Sequence, residues 1–363
     1  MAGDKKMKAR KPKVLSLFSG CGGLDLGFKQ AGYEMVWAND FDPSSCRTYA
    51  RNFGPHVKEG SIVDVDFNDT PDVDIITGGF PCQDFSMVSK RGGLATDRGN
   101  LYKQFVRAVE TKMPKVFVAE NVKGLLTANK GKAIQQITED FAELGYRLDI
   151  NLYNFAQYGA PQLRERVLIV GVRHDIEYTY TKPAPTNTPD NYVTAGEALA
   201  GVEKVLFNNE HQNIKDKTRT MLSLIPEGGN FTSIPKDSPY YVKGMISHVY
   251  RRLDRNKPST TIIAGGGGGT WGYHYEENRP LTNRERARLF GYPDDFIFEG
   301  TITQVRKQIG NSVPPIAAQK IAEHLLPAFS ANSVLVLNDD EVDYKKHMTS
   351  ELVGLKHLVM AAS

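Results

Sequence analysis

Between residues 13 and 173 the chain switches repeatedly between short continuous apolar runs and apolar positions spaced three or four apart. The runs at 14–18, 33–38, 73–77 and 116–119 predict strands buried on both faces. Leu24, Phe28 and Ala31 share one helical face that stops at Gly32. Ile134, Ile137, Phe141 and Leu144 form a second stripe that stops at Gly145. Asp42 is placed to cap a helix whose first position is Pro43, and a further helix is expected from about 100 to 112. Strands near 147–153 and 167–172 close the series. Repeated β–α–β units of this kind predict a mostly parallel sheet with helices on both faces.

The texture changes near His174. Pro183, Pro185 and Pro189 break regular structure, and Thr, Asn, Pro and Gly dominate up to Tyr240. This predicts a second domain of short strands and long loops, ordered through its substrate. Residues 265–269 are five glycines, either a slack loop or backbone that must lie against a bulky ligand. Residues 314–329 return to a helical pattern, and 331–363 form an appendage with no assigned role. A length of 363 residues suits two domains or one large α/β domain with an insertion.

Composition narrows the class without naming a function. Hydrophobic residues at 40% and charged residues at 24% are ordinary for a globular enzyme. No apolar run approaches the length that spans a bilayer. Residues 1–13 are basic but lack the apolar core of a secretory signal, and suit either a flexible arm near a polyanion or an ordinary solvated basic tail. A net charge of +3 does not by itself argue for nucleic acid, but its distribution is suggestive. Lys243, His248, Arg251, Arg252, Arg255 and Lys257 cluster, and Arg279, Arg284, Arg286 and Arg288 follow. With Tyr240, Tyr241, Tyr250, Trp271 and Tyr273 nearby, they suit phosphate contact plus stacking, although the second cluster equally suits a solvated helix face. Cys21, Cys46 and Cys82 form no CxxC pair, so neither a bound metal nor a disulfide framework is expected, and a reduced intracellular protein is the simplest reading.

The candidate chemistry lies at predicted strand ends, where open α/β sheets bind ligands. Gly78-Gly79-Phe80-Pro81-Cys82-Gln83 follows the third strand, with Pro81 stiffening the backbone before the thiol. Cys82 is a candidate nucleophile; judged alone, a cysteine in a turn is more often a small buried thiol. The turn Phe18-Ser19-Gly20-Cys21-Gly22-Gly23-Leu24 exposes backbone N–H groups at a helix N-terminus and admits NAD, a nucleotide or S-adenosylmethionine. Asp40 stands where an acid grips ribose hydroxyls, and Phe41 could stack on an adenine. Glu120 ends the fourth strand and faces the same crevice as Cys82. A thiol and a carboxyl group there suit attack at one ring atom while an acid holds a neighbouring nitrogen. Arg164 and Arg166 fall on one side of a later strand, where each taken singly is more often a structural ion pair.

Taken in order, the motifs at 18–24, 39–42, 78–86, 120–122, 162–167, 279–296 (RPLTNRERARLFGYPDDF) and 308–315 (QIGNSVPP) resemble the C5-cytosine DNA methyltransferase family of bacterial restriction-modification systems. The resemblance covers roughly residues 13–330. It implies a Rossmann-like S-adenosylmethionine-dependent methyltransferase fold, α/β with a mixed sheet, and a smaller loop-rich target-recognition domain. The large domain would span 11–176 completed by 309–330, and the small one 177–308. Cys82 would attack C6 of a flipped-out cytosine. Glu120 would hold N3 and the exocyclic amine, while Arg166, supported by Arg164, would bind the O2 side. Cofactor contacts would come from Phe18, Ser19, Gly20, Cys21, Gly22, Gly23, Leu24, Asp40, Phe41, Ile62, Pro81, Leu101, Asn311 and Ser312, with S-adenosylhomocysteine as product. Ser61 stands where many members place an aspartate that meets the adenine amine.

The segment 83–99, with Ser86, Lys90, Arg91 and Arg98 and a possible hinge at Gly92-Gly93, would close over DNA as a lid. Arg252, Gly266, Gly267 and Tyr273 would meet the DNA from a recognition region at about 177–275, compact enough for a single recognition sequence. The resemblance further implies double-stranded DNA as partner, action as a monomer beside a cognate restriction endonuclease, no membrane, and a cytoplasmic, nucleoid-associated location. Rival readings are an RNA (tRNA) cytosine methyltransferase, a catalytically inactive DNA-binding relative, a Rossmann oxidoreductase and a thiol hydrolase. The glycine turn does not meet GxGxxG, and no histidine accompanies Cys82 in the motif order, which disfavours the last two.

Overall fold

A computed structural model describes residues 10–81, 101–241, 243–244, 249–265 and 272–330. Its centre is a seven-stranded sheet of order β3-β2-β1-β4-β5-β8-β6. The strands are β1 (Lys13–Leu17), β2 (Glu34–Asp40), β3 (Val57–Glu59), β4 (Ile75–Gly78), β5 (Val116–Val122), β6 (Tyr146–Asn154) and β8 (Glu165–Arg173). β1 to β5 run parallel, and β8 runs antiparallel between β5 and β6. The reversal follows from chain length. Only residues 155–164 join β6 to β8, enough for a hairpin and too few for a parallel crossover. The mostly parallel sheet expected from the pattern therefore carries one reversed strand.

Alternation along the strands builds two cores. Val14, Val116, Val118, Leu168 and Val170 point to one face, where α1 (Gly23–Gln30) and α9 (Pro315–Leu325) pack. Leu15, Leu17, Phe117, Ala119, Val167 and Ile169 point to the other, covered by α3 (Leu101–Lys112) and α4 (Lys132–Glu143). α1 and α9 touch almost backbone to backbone: a Cβ on Gly27 would lie 2.4 Å from Ala318 Cβ and 2.5 Å from Gln319 N. α2 (Pro43–Phe53) begins as its sequence predicts, with the Asp42 carboxylate accepting the Ser45 N–H at 2.8 Å and Pro43 first in the helix.

The region after Arg173 is loop-rich, with α5 (Ala195–Leu199), α6 (Asp216–Ser223), α7 (Asn283–Leu289) and α8 (Ile302–Asn311). Its β9 (Ser259–Thr260) pairs with β7 (Gln162–Leu163) in a separate two-stranded ladder. A third core joins Leu253, Ile262, Leu281, Phe290, Phe296 and Ile309 to Cys21 and Leu26 at the start of α1. Residues 281–309 thus pack directly on the parallel-sheet body. Asn52 of α2 donates to Ile297 O, and Thr48 donates to Gln308 Oε1.

Asp25, in the first turn of α1, is buried, with Oδ1 accepting the Ser16 hydroxyl at 2.7 Å. Burial pushes its carboxyl from 3.8 up to about 6. Within that window the folded chain holds a proton that the unfolded chain has released, so this group's contribution to stability falls as pH rises through it. Asp25→Asn keeps an acceptor for Ser16 and removes the titration. The variant should gain on the order of 1–3 kcal/mol relative to wild type between the bottom of the window and neutral pH, read from urea unfolding. Parallel pH profiles for the two proteins would refute this.

Candidate active site

The glycines before Cys82 are there for close approach. A Cβ on Gly78 would lie 2.4 Å from Leu17 O of the neighbouring strand, and one on Gly79 would lie 2.8 Å from Glu120 Oε2. Phe80 then anchors the chain. Its ring is buried against Tyr102 and Phe105, and its carbonyl accepts Asn121 Nδ2 at 2.9 Å. Pro81 follows, exposed at the carboxyl edge of the sheet. Cys82 itself lies outside the described residues, as do Ser86, Lys90, Arg91, Arg98, His248, Gly266, Gly267 and Trp271. The other two cysteines are buried, and burial pushes each thiol up to about 12, so neither is suited to act as a thiolate nucleophile.

Glu120 lies within β5 rather than beyond it, because residues 120–122 pair with 166–168 of β8. That pairing sets Glu120 diagonally across from Arg166, whose Nε approaches Oε1 at 2.9 Å. Both side chains are largely withdrawn from water. Burial holds the Glu120 carboxyl above the usual carboxylate range against the opposing pull of Arg166 and Arg164. A cleft of about 520 Å³ opens beside the pair, lined by Val122, Lys123, Asn154, Glu165, Arg166 and Thr261.

Arg164 stands differently from the expected companion of Arg166 at the substrate. It is 1% exposed, donates to Ile262 O at 3.3 Å and Gly310 O at 3.0 Å, and stacks on Phe290. It braces β8 against two segments of the chain's second half, and from there its charge acts on Glu120 and Arg166.

The first turn gathers most of the expected cofactor residues. Phe18 takes φ of 52°, an uncommon value for a side-chain-bearing residue, and Ser19 N donates to Asn39 O at 3.0 Å. Gly20 N donates to Asp40 Oδ2 at 2.8 Å, and Asp42 N donates to Oδ1 at 2.9 Å. Asp40 thus ties the ends of β1 and β2 together. Phe41 beside it is 71% exposed, unusual for a phenylalanine and suited to stacking. Gly23 cannot carry a side chain: a Cβ would lie 2.0 Å from Ser312 Oγ and 2.5 Å from Val313 O. Gly22 precedes α1 without a side-chain cap, leaving helix N–H groups for a ligand. Ile62 is buried below, Leu101 is half-buried at the start of α3, and Asn311 is exposed at the end of α8. An open glycine turn flanked by a carboxylate and an exposed aromatic ring fits an adenosine-bearing cofactor. Ser61 accepts the Val63 N–H at 3.3 Å, capping a short turn.

Arg252 and the second basic cluster need correction. Arg252 is buried and donates to the carbonyls of His274, Leu222, Ile225 and Glu277, so it is a strut and not an exposed DNA contact. Tyr273 is 1% exposed. Arg279 pairs with Glu277 and the buried Glu285, and Arg284 donates to the carbonyls of Phe207, Pro293 and Phe296. With Arg286 also buried and Arg288 paired to Asp294, this helix is neither a solvated face nor a phosphate surface. Charge counting along a sequence does not separate arginines that satisfy carbonyls from those that meet solvent. The Thr282–Glu285 capping box was the available local signal for the helix they occupy. Tyr292 and Gln308, which connect to the glycine turn, lie in the motifs at 279–296 and 308–315, but those motifs do not show that the two meet it.

The fold is an α/β sheet with an open glycine turn and a buried acid–guanidinium pair at its carboxyl edge. The family model for C-5 cytosine-specific DNA methylase matches residues 12–326, and the chain belongs to that family. It is 62% identical to the type II methyltransferase M.NgoFVII of Neisseria gonorrhoeae, over 96% of this chain and 94% of the relative. It is 42% identical to the type II methyltransferase M.BbvI of Brevibacillus brevis, over 89% of this chain and 92% of that one. The crystal structure of the S. pombe Dnmt2 methyltransferase superposes with a TM-score of 0.62 at 18% identity, covering 87% of this chain and 99% of that one, and shows the fold alone. The protein is a DNA (cytosine-5-)-methyltransferase of the restriction-modification type. Family membership implies S-adenosylmethionine as methyl donor. Among the described residues no helix is long and apolar enough to cross a membrane.

Proposed function

We propose that this enzyme methylates C5 of a cytosine flipped out of double-stranded DNA, with Cys82 as a reversible nucleophile at C6. The observation that carries the reading is the buried Glu120–Arg166 pair, held against Gly79 three residues before Cys82. Cytosine C5 is a poor nucleophile until the ring accepts electrons at C6. Attack by the Cys82 thiolate places that charge on the ring, where Glu120 holds a proton at N3 and the exocyclic amine. Arg166 orients Glu120 and offers its remaining donors to O2. Residues 18–24, with Asp40 and Phe41 towards the adenosine, would hold S-adenosylmethionine, which would supply the methyl group. Loss of the C5 proton then expels Cys82 and restores the aromatic ring.

Target choice falls to the 177–308 region, and the type II names of the relatives support a cognate endonuclease acting on the same site. In this reading the enzyme works as a monomer, at the nucleoid through its DNA. Duplex DNA carrying 5-fluorocytosine at the target tests the mechanism, because C5 then has no proton to lose. A covalent protein–DNA adduct that requires S-adenosylmethionine is expected. No adduct on DNA whose unmodified form is methylated would overturn the covalent step.

A further inference from the structure

The glycine turn at 20–23 is held from the far half of the chain. Ser312 gives its hydroxyl proton to Val313 O at 2.9 Å. Ser312 Oγ also contacts Tyr292 Oη, so in that contact the tyrosine must donate. The phenolic oxygen then lies 3.3 Å from Cys21 Sγ, whose one thiol proton is shared between it and Gln308 O at 3.6 Å.

Tyr292 is 3% exposed and belongs to the core that includes Phe290, Phe296 and Ile309. Its hydroxyl sits over Gly23, where a Cβ would come within 2.5 Å of it. Gln308 closes the arrangement from the other side. Its Nε2 donates to Ser44 Oγ at 3.1 Å and Glu299 O at 2.9 Å. Ser44 in turn donates to Asp42 Oδ1, and the Asp42 N–H binds Asp40, which receives Gly20 N. A ring of hydrogen bonds thus runs around the turn, and the single phenol in it comes from outside the parallel-sheet body.

We infer that Tyr292 is a positioning residue for the cofactor site: its hydroxyl clamps the Gly20–Gly23 turn to the Asn311–Ser312 turn and so sets cofactor affinity. The inference rests on the reading of residues 18–24 as the cofactor turn. Tyr292→Phe keeps the ring and removes the clamp. Tyr146→Phe is the control, since Tyr146 is equally buried but donates to Pro114 O at the opposite end of the sheet. Calorimetric titration with S-adenosylhomocysteine should show a dissociation constant raised about 3- to 10-fold in Tyr292→Phe, the usual reach of one or two buried hydrogen bonds, and unchanged in Tyr146→Phe. The KM for S-adenosylmethionine should rise in parallel while kcat at saturating cofactor stays near wild type. Adding Ser312→Ala to Tyr292→Phe should weaken binding by less than the product of the single effects. Wild-type affinity in Tyr292→Phe, or equal weakening in the control, would overturn the clamp. Failure of the wild-type protein itself to bind S-adenosylhomocysteine would overturn the reading of the turn, and the clamp with it.

Discussion

Cys82→Ala is expected to abolish methyl transfer to DNA while S-adenosylhomocysteine binds as tightly as to wild type. Without a nucleophile at C6 the ring never acquires the charge that makes C5 reactive, and neither thiol among the described residues is suited to that role. Cys21 and Cys46 are buried, and both thiols are pushed up to about 12. The loss should reach the detection limit of a tritiated methyl-transfer assay, on the order of 10⁴-fold or more, in keeping with removal of a covalent nucleophile. Retained turnover would end the nucleophile assignment, and loss of cofactor binding would place Cys82 in the wrong site.

Glu120→Gln should lower the single-turnover rate by about 10²–10⁴-fold with little change in cofactor affinity. The amide keeps the shape and can still accept from Arg166 Nε, but it cannot keep a proton on N3 as charge enters the ring. The pH profile separates this role from a structural one. Burial holds the Glu120 carboxyl above its ordinary range despite Arg166 and Arg164, so the protonated form persists to higher pH than for an exposed glutamate. The wild-type rate should fall as pH rises through that raised value, and the variant should lack this limb. A near-normal rate, or an identical limb in the variant, would demote Glu120 to a scaffold for Arg166.

Much of this architecture was legible because it is written in local patterns. The strand runs, the Asp42-Pro43 helix start and the stops at Gly32 and Gly145 depend on period and capping chemistry within a few residues. The order of the motifs was enough to name the family, and the glycine turn with Asp40 and Phe41 pointed to an adenosine-type ligand. The antiparallel insertion of β8 was not legible from periodicity, since a buried strand looks the same in either direction. It matters, because that reversal sets Arg166 diagonally opposite Glu120.

The arginines show the other boundary. Arg252, Arg279, Arg284 and Arg286 were indistinguishable along the chain from residues that meet phosphate, and the fold buries all four. Arg164, one residue pair away from Arg166, is turned onto the carbonyls of Ile262 and Gly310. Residue type and spacing specified the chemistry available to this protein: a thiol, an acid, a guanidinium and a glycine turn, each at a strand end. Which of them face the cleft, and which brace it, depended on contacts between residues hundreds of positions apart. Cys21, Tyr292 and Ser312 meet only after the chain has folded, because burial and hydrogen-bond satisfaction act on neighbours in space rather than in sequence.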